Sequence, residues 1–379
     1  MNTPWQDFLQ QHGAVMQGNI VQHFGRPLEE LIATQSSTVL CDLGQFGTLK
    51  ISGADAQSFL QNLLSSDVSA VNALRAQLSS LNSPKGRMIA SLLIWQSGAD
   101  YYLQLPRNLC AAIQKKLAMY VLRAKVKVEE VSTQIVSLGL AGEHAAALLN
   151  QHVGAMPTEN FAVLQHMYGS VICLGERRFQ INILAEFAAD VWQKLSGDST
   201  GRALSRITGE GWGEGNAVAA NMSKATSTKK NLVKKVGAPC WDWLQIRAGL
   251  PVIVPATQEQ FVAQMVNFEL LGGVNFKKGC YPGQEIVARM QYLGKLKRRM
   301  YLANVDGANI APQAGDELYS VDMEGQSCGM IVNAAPAPNG GYDVLAVVQI
   351  SSQESQGVHW KSLQGAALKF IPLPYALEK

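Results

Sequence analysis

The sequence predicts an α+β protein that ends in a small β-barrel, and three observations carry that reading. Between residues 47 and 131 the apolar pattern alternates between a period of two and a helical period. The order is strand, helix, strand, strand, helix, strand, which is that of a split α+β unit. Beyond residue 300, short apolar runs recur at regular spacing between Gly and Pro turns, as in a small barrel. A chain of 379 residues is also long enough for two or three domains and a sizeable core.

Gly47 to Ser52 reads as a strand, and residues 54–65 as a helix with Phe59, Leu60, Leu63 and Leu64 on one face. Met88 to Trp95 and Tyr101 to Leu105 read as strands joined at Gly98. Arg107 to Leu122 places Leu109, Ile113, Leu117 and Val121 four apart, so it reads as a helix, and Lys125 to Val131 alternates as an edge strand does. Residues 135–195 form a second such unit. Residues 196–237 are rich in Gly, Ser, Thr, Ala and Lys without apolar periodicity, which predicts a flexible insertion with Lys224, Lys229, Lys230, Lys234 and Lys235 on a solvated tether. Within it, Gly197-Asp198-Ser199-Thr200-Gly201 matches a nucleophile elbow but lacks the strand before and the helix after that such an elbow needs. The alternating glycines from Gly209 to Gly215 lack the spacing of a dinucleotide loop. Thr257 and Gln260 have capping-box spacing, which predicts a helix presenting Phe261, Met265 and Phe268. Met300 to Val305, Glu317 to Val321, Gly329 to Ala334 and Val344 to Ile350 are the barrel strands. The chain then divides into a core of residues 1–134 and 238–297, a unit at 135–195, the insertion at 196–237 and the barrel at 298–379.

A net charge of +3 is too small to mark a nucleic-acid binder, so no direct nucleic-acid binding is expected. Cysteines stand at 41, 110, 173, 240, 280 and 328 with no Cys-x-x-Cys pair and no His at chelating spacing. A local zinc or cluster motif is therefore not predicted, and reduced thiols are. Residues 1–30 lack a signal pattern and no apolar run approaches eighteen residues, so a cytoplasmic protein without membrane contact is expected.

Chemistry concentrates in residues 278–289, Lys-Gly-Cys-Tyr-Pro-Gly-Gln-Glu-Ile-Val-Ala-Arg. Gly279 and Gly283 can take positive φ, and Tyr281-Pro282-Gly283-Gln284 fits a type II turn, so Cys280 is expected on a tight, exposed bend. Lys278 and Arg289 flank the thiol, and nearby cations favour thiolate; Cys280 is the candidate reactive thiol, with these two as electrostatic partners or anion contacts. Glu285 is expected at a helix start or paired with a cation, and Gln284 can orient the loop or a ligand edge.

This segment resembles the Lys-Gly-Cys-Tyr/Phe-x-Gly-Gln-Glu-x-x-x-Arg/Lys signature of the YgfZ family, folate-binding relatives of the glycine-cleavage T-protein that support iron-sulfur enzymes. Trp241 to Ile253 is similar to that family's Trp-containing strand and Gly-x-Pro turn, Asn267 to Phe276 to its approach to the signature, and Ile371 to Glu378 to the ending of its bacterial members. With Gly44 to Phe59 and Asn82 to Ile89, the likeness covers roughly residues 38–195 and 238–379.

The resemblance implies a T-protein-like fold around a central folate cavity, with the signature loop at its mouth. It implies tetrahydrofolate or a derivative as cofactor, iron-sulfur client or assembly proteins as partners, and a role in assembly or repair of clusters in enzymes that include tRNA-modifying ones. The family's pocket tryptophans fall at Phe46, which lacks the indole N–H, and Trp241. Where the T-protein carries two aspartates this chain has Ala90 and Ser91, which implies loss of aminomethyl transfer. A folate-dependent one-carbon transferase and a non-catalytic folate-sensing scaffold remain the alternatives. Lys295, Lys297, Arg298 and Arg299 are a candidate strip for a polyglutamate tail.

Overall fold

The computed structural model describes residues 3–175, 177–198, 233–307, 310–355 and 357–377. The elbow residues from Ser199, the glycine alternation and Lys224, Lys229 and Lys230 lie outside these. Three large sheets pack around one centre, beside a two-stranded hairpin of Val15–Gln17 and Ile20–His23. The first is antiparallel, with five strands in the order Gln77–Asn82, Met88–Ser97, Asp100–Pro106, Phe46–Ser52 and Lys127–Glu130. Helices Ala56–Gln61 and Arg107–Tyr120 bury Phe59, Leu60, Leu109, Ile113 and Leu117 on it, against Leu49, Ile51 and Leu103. Lys127–Glu130 is the edge strand its alternation predicts. Gln77–Asn82, Gln-Leu-Ser-Ser-Leu-Asn, is a further strand whose serines hide the apolar alternation. Its hydroxyls serve an internal network: Ser80 Oγ donates to Ser65 Oγ at 2.8 Å, and Ser66 Oγ to Ser79 Oγ at 2.7 Å.

The second sheet runs Val163–His166, Gly169–Cys173, Arg178–Leu184, Ile135–Ala141, Thr38–Asp42 and Val233–Val236. Thr38–Asp42 thus belongs with the unit predicted at 135–195 rather than with the first sheet. Val233–Val236, read from composition as the end of a tether, is a strand parallel to Thr38–Asp42, and Lys235 Nζ lies 3.0 Å from Asp198. It is the edge strand of this sheet, paired only with Thr38–Asp42, and its two valines are buried in different cores, Val233 in one and Val236 in the other. Helix Ala188–Ser196 precedes Gly197, as expected for a chain without a nucleophile elbow.

The third sheet is antiparallel, ordered Val358–Trp360, Glu317–Ser320, Ser327–Pro336, Tyr342–Gln349, Arg298–Val305 and Leu368–Ile371. It curls until its two edge strands approach, where His359 bridges Ala367, which gives the barrel character predicted.

Two expectations fail where the chain crosses between the sheets. Ala238–Arg247 is a helix, not a Trp-containing strand. Pro239 sits in its first turn, and the carboxylate of Glu30 accepts from the Gly237 N–H at 3.1 Å, which fixes where it starts. The helix after Thr257 is absent: two short 3₁₀ turns, Pro255–Thr257 and Ala263–Val266, occupy that stretch. The Thr257 hydroxyl accepts from Val254 N at 3.1 Å, turning backward rather than capping a helix ahead. Phe261 and Phe268 are buried as predicted. Helix Ala238–Arg247 occupies the junction. Trp241, Trp243 and Ile246 join one core with Val39 of the second sheet, Met88 of the first and Leu302 and Leu345 of the third. Among the described residues, no helix is long and apolar enough to cross a membrane.

Candidate functional site

The signature segment forms the predicted bend. Gln284 N donates to Tyr281 O at 3.1 Å and Gly283 has φ 78°, ψ 4°, which is a type II turn, and helix Gln284–Tyr292 begins directly after it. A Cβ on Gly283 would stand 2.5 Å from both Cα and N of Gly86, the glycine of the turn that joins strands Gln77–Asn82 and Met88–Ser97. Gly86 itself has φ +71°, and its Cβ would meet the Ile286 side chain at 2.8 Å. Two motifs far apart in sequence are therefore packed glycine against glycine. Gly279 differs: its φ is not positive, and the space where a Cβ would stand is open.

Cys280 is exposed, as expected of a reactive thiol. Lys278 is not deployed as its electrostatic partner. Its ammonium donates to Gln61 O and Leu64 O at 2.6 Å and to Ser66 O at 2.9 Å, so its three N–H donors are committed to the last carbonyl of helix Ala56–Gln61 and to two carbonyls of the segment that follows it. Burial pulls this lysine down to about 8, against which Asp67 acts in the opposite sense. Lys278 also lies over the Tyr281 ring, 5.3 Å from its centroid. Tyr281 is buried and its hydroxyl lacks a partner; burial pushes it up to about 12. Glu285 stands exposed in the first turn of helix Gln284–Tyr292, where a carboxylate complements the helix N-terminus, and Arg289 stands exposed in its last turn. Gln284, the first residue of that helix, is half-buried.

A larger cavity lies elsewhere. It has a volume of about 500 Å³, between helix Ala238–Arg247, the end of strand Asp100–Pro106 and the third sheet, with Phe46, Gln45, Asp242, Gln245, Asn333 and Tyr342 in its wall. Phe46, Pro106, Gln245, Leu250 and Val252 also line a smaller inner chamber with Ser91, Gln104 and Gln180. No residue of 276–293 lines either chamber, so the signature loop is not at the cavity mouth as expected; its glycine contact holds it on the Ser83–Gly86 turn instead.

Of the two aromatics expected in the pocket, Phe46 is in the wall and Trp241 is not. Trp241 is 1% exposed, its ring pressed on the backbone of Gly139, where a Cβ would stand 2.5 Å from ring carbons. The next residue on the helix, Asp242, faces the cavity instead. Ser91 lines the smaller chamber and accepts from Ile253 N at 3.0 Å, while Ala90 is buried in the core of the first sheet. The basic strip also divides: Arg299 is buried and paired with Glu269 at 2.8 Å, and none of Lys295, Lys297, Arg298 or Arg299 lines a chamber.

Sequence reading missed the polar groups of the wall. Asp242 Oδ1 accepts from Gln45 Nε2 at 3.1 Å, and burial pushes the Asp242 carboxyl up to about 6. Gln104 is buried, with its amide nitrogen unpartnered, and Gln180 Nε2 donates to Asn182 Oδ1 at 2.8 Å. Asn333 clamps Val252 through both its backbone groups at 2.9 Å. Only Asp242 had a local signal, a carboxylate set between two tryptophans.

Three sheets enclosing a two-chambered cavity, with a linking helix at their junction, define an aminomethyltransferase-type fold. The glycine cleavage system aminomethyltransferase T from Bartonella henselae shares it: TM-score 0.74, 17% identity, 97% of this chain and 96% of that one covered. The model of the GCVT N-terminal domain matches residues 7–204. The chain is 27% identical over 350 residues to the tRNA-modifying protein YgfZ of Pectobacterium carotovorum subsp. carotovorum (strain PC1), covering 92% of this chain and 94% of that protein. It is 26% identical to the YgfZ of Escherichia coli O7:K1 (strain IAI39 / ExPEC), covering 93% and 98%. The chain belongs to the GCVT family and, within it, to the YgfZ family.

Proposed function

We propose that this protein binds tetrahydrofolate or a derivative in the central cavity, and that it supports tRNA modification through folate-dependent assembly or repair of iron-sulfur clusters in client enzymes. The single observation that carries the folate reading is the cavity itself, about 500 Å³ in an aminomethyltransferase-type fold. A pteridine needs a flat apolar wall and a few placed donors and acceptors; Phe46 supplies the first, and Gln45, Gln104, Gln180 and Gln245 the second. The tRNA-modification part rests on the names of the curated relatives, and the iron-sulfur part on the signature segment with its exposed Cys280. Aminomethyl transfer is not proposed. At Ala90 and Ser91 no carboxylate is offered to a cationic transfer centre, and the serine oxygen already accepts from Ile253 N.

Anaerobic calorimetric titration with tetrahydrofolate tests the cavity. Binding should weaken about tenfold in Phe46→Ala, through loss of the stacking face, and stay within about twofold in Trp241→Phe, whose ring backs the wall without entering it. A parent protein that does not bind at all would end the folate reading. For the thiol, Cys280→Ser should fold and bind folate normally yet fail to restore iron-sulfur tRNA-modifying enzymes in cells lacking the protein. Rescue equal to the parent would leave the loop a structural part.

A further inference from the structure

We propose that the end of helix Arg107–Tyr120 is a contact point for an anionic lipid surface, at which Met119 and Leu122 enter the headgroup layer and the neighbouring cations meet lipid phosphates. The helix buries Leu109, Ile113 and Leu117 on the first sheet. Its far end is apolar on the outside as well: Met119 is 62% exposed, Tyr120 39% and Leu122, in the turn beyond, 88%. Leu122 is also strained. It follows Val121, the residue that closes the helix, and holds φ 42°, the left-handed conformation that helices usually give to Gly or Asn at this place. A leucine there costs stability twice, through its backbone and through apolar surface left in water. At such exposure, packing returns neither cost, which is the mark of a residue kept for contact with something outside the chain.

Charge identifies what covers it. Residues 114–127 hold five cations, Lys115, Lys116, Arg123, Lys125 and Lys127, and no carboxylate, although the net charge of the whole chain is only +3. The overall balance therefore hides a local positive pole. Lys127 pairs with Glu129 at 2.7 Å, and the Asp55 carboxylate accepts from the backbone N–H of Lys125 at 2.7 Å. The side chains of Lys115, Lys116, Arg123 and Lys125 form no ion pair among the described residues. Cations near a helix C-terminus have an ordinary use in complementing its carbonyls, so by themselves they assign nothing. Set on both sides of a projecting apolar tip, they do: Lys115 and Lys116 stand one turn before Met119 and Tyr120, and Arg123 and Lys125 follow Leu122. Nucleic acid has no use for two aliphatic tips, and a protein partner would need a pocket shaped to receive them. A bilayer interface accepts such a tip without one, with aliphatic carbon at the acyl boundary, a tyrosine at headgroup level and cations on the phosphates. The sequence expectation of no membrane contact concerns spanning and signal segments, which this surface does not use.

Sedimentation of the full chain with vesicles tests the proposal. The parent should bind vesicles of about half phosphatidylglycerol in phosphatidylcholine, leave pure phosphatidylcholine vesicles unbound, and be released by high salt, which screens the cations. Leu122→Gly relieves the left-handed backbone and removes the tip; it should melt at or above the parent's temperature yet bind about tenfold more weakly. Lys115→Gln combined with Arg123→Gln should weaken binding about tenfold or more at unchanged stability. Binding by Leu122→Gly equal to the parent's would leave only diffuse attraction between charges and overturn the contact point. A parent that ignores anionic vesicles overturns it as well, and if that parent binds bulk tRNA through Lys115 and Arg123, the cations serve nucleic acid instead.

Discussion

The two glycines on either side of the signature thiol make opposite demands. Gly283 holds φ 78°, and its missing Cβ leaves room for the backbone of Gly86. Alanine there combines a left-handed backbone with a backbone clash, and the expected loss is about 2–4 kcal/mol. Gly279 has neither constraint, so Gly279→Ala should stay within about 0.5 kcal/mol. Denaturant melts of the two variants compare them directly; equal losses would show that the contact between the glycines does not hold the loop. Lys278 supplies a second test of the same bend. Its three carbonyl contacts fasten the loop to the last residue of helix Ala56–Gln61 and to Leu64 and Ser66 beyond it, so Lys278→Met should destabilise by about 2 kcal/mol. The pH dependence of iodoacetamide labelling at Cys280 should be unchanged in that variant. A labelling profile displaced to higher pH with stability intact would return Lys278 to the role its proximity in sequence implied. Sequence revealed that lysine, thiol and turn share a loop. It could not reveal where a four-carbon side chain sends its charge, because the receiving carbonyls belong to residues more than two hundred positions away.

At the scale of elements, what could be read from sequence was what local periodicity writes. Helix Arg107–Tyr120, the strands of the first sheet with alternating faces and four of the six barrel strands lie close to where their apolar spacing puts them. Elements escaped notice where tertiary contacts replace periodicity: the serine-rich strand Gln77–Asn82 and the short strand Val233–Val236. The family likeness implied a strand at Ala238–Arg247, and local periodicity offers no correction, because the buried Ala238, Cys240, Trp241, Trp243 and Ile246 form no single stripe. The cavity wall was the least legible part. Gln45 and Asp242 meet across 197 positions, and no motif marks either as half of a pair. That helix also yields a prediction at its own scale. Because the Trp241 ring lies on Gly139, Gly139→Ala should overpack the junction and cost about 1–3 kcal/mol. Trp241→Phe in the same chain should recover part of that loss by giving the methyl group space. A double-mutant cycle with no coupling would show that ring and strand do not share the contact.

For the molecule as a whole, the cavity carboxyl ties stability to pH in a direction opposite to the usual one. Most folded carboxylates are held low and stabilise as pH rises, whereas burial raises Asp242 from 3.8 to about 6. Between those values the folded protein holds a proton that the unfolded chain has released. Asp242 therefore contributes stability that declines as pH rises from about 4 to 6 and stays low above. Asp42 acts in the same sense: burial raises it to about 6 although it accepts from Trp5 Nε1 at 2.8 Å and Gly44 N at 3.1 Å. His152, held below its ordinary value by burial and by Lys194, opposes both in the range below 6.5. The absolute profile mixes these contributions, and the difference between parent and Asp242→Asn isolates one. Without ligand, the melting temperature of the variant relative to the parent should rise between pH 5 and pH 7. Parallel melting profiles for the two proteins across this range would show that Asp242 carries no protonation linkage, and the cavity would be left to select its ligand by shape and by its neutral amides.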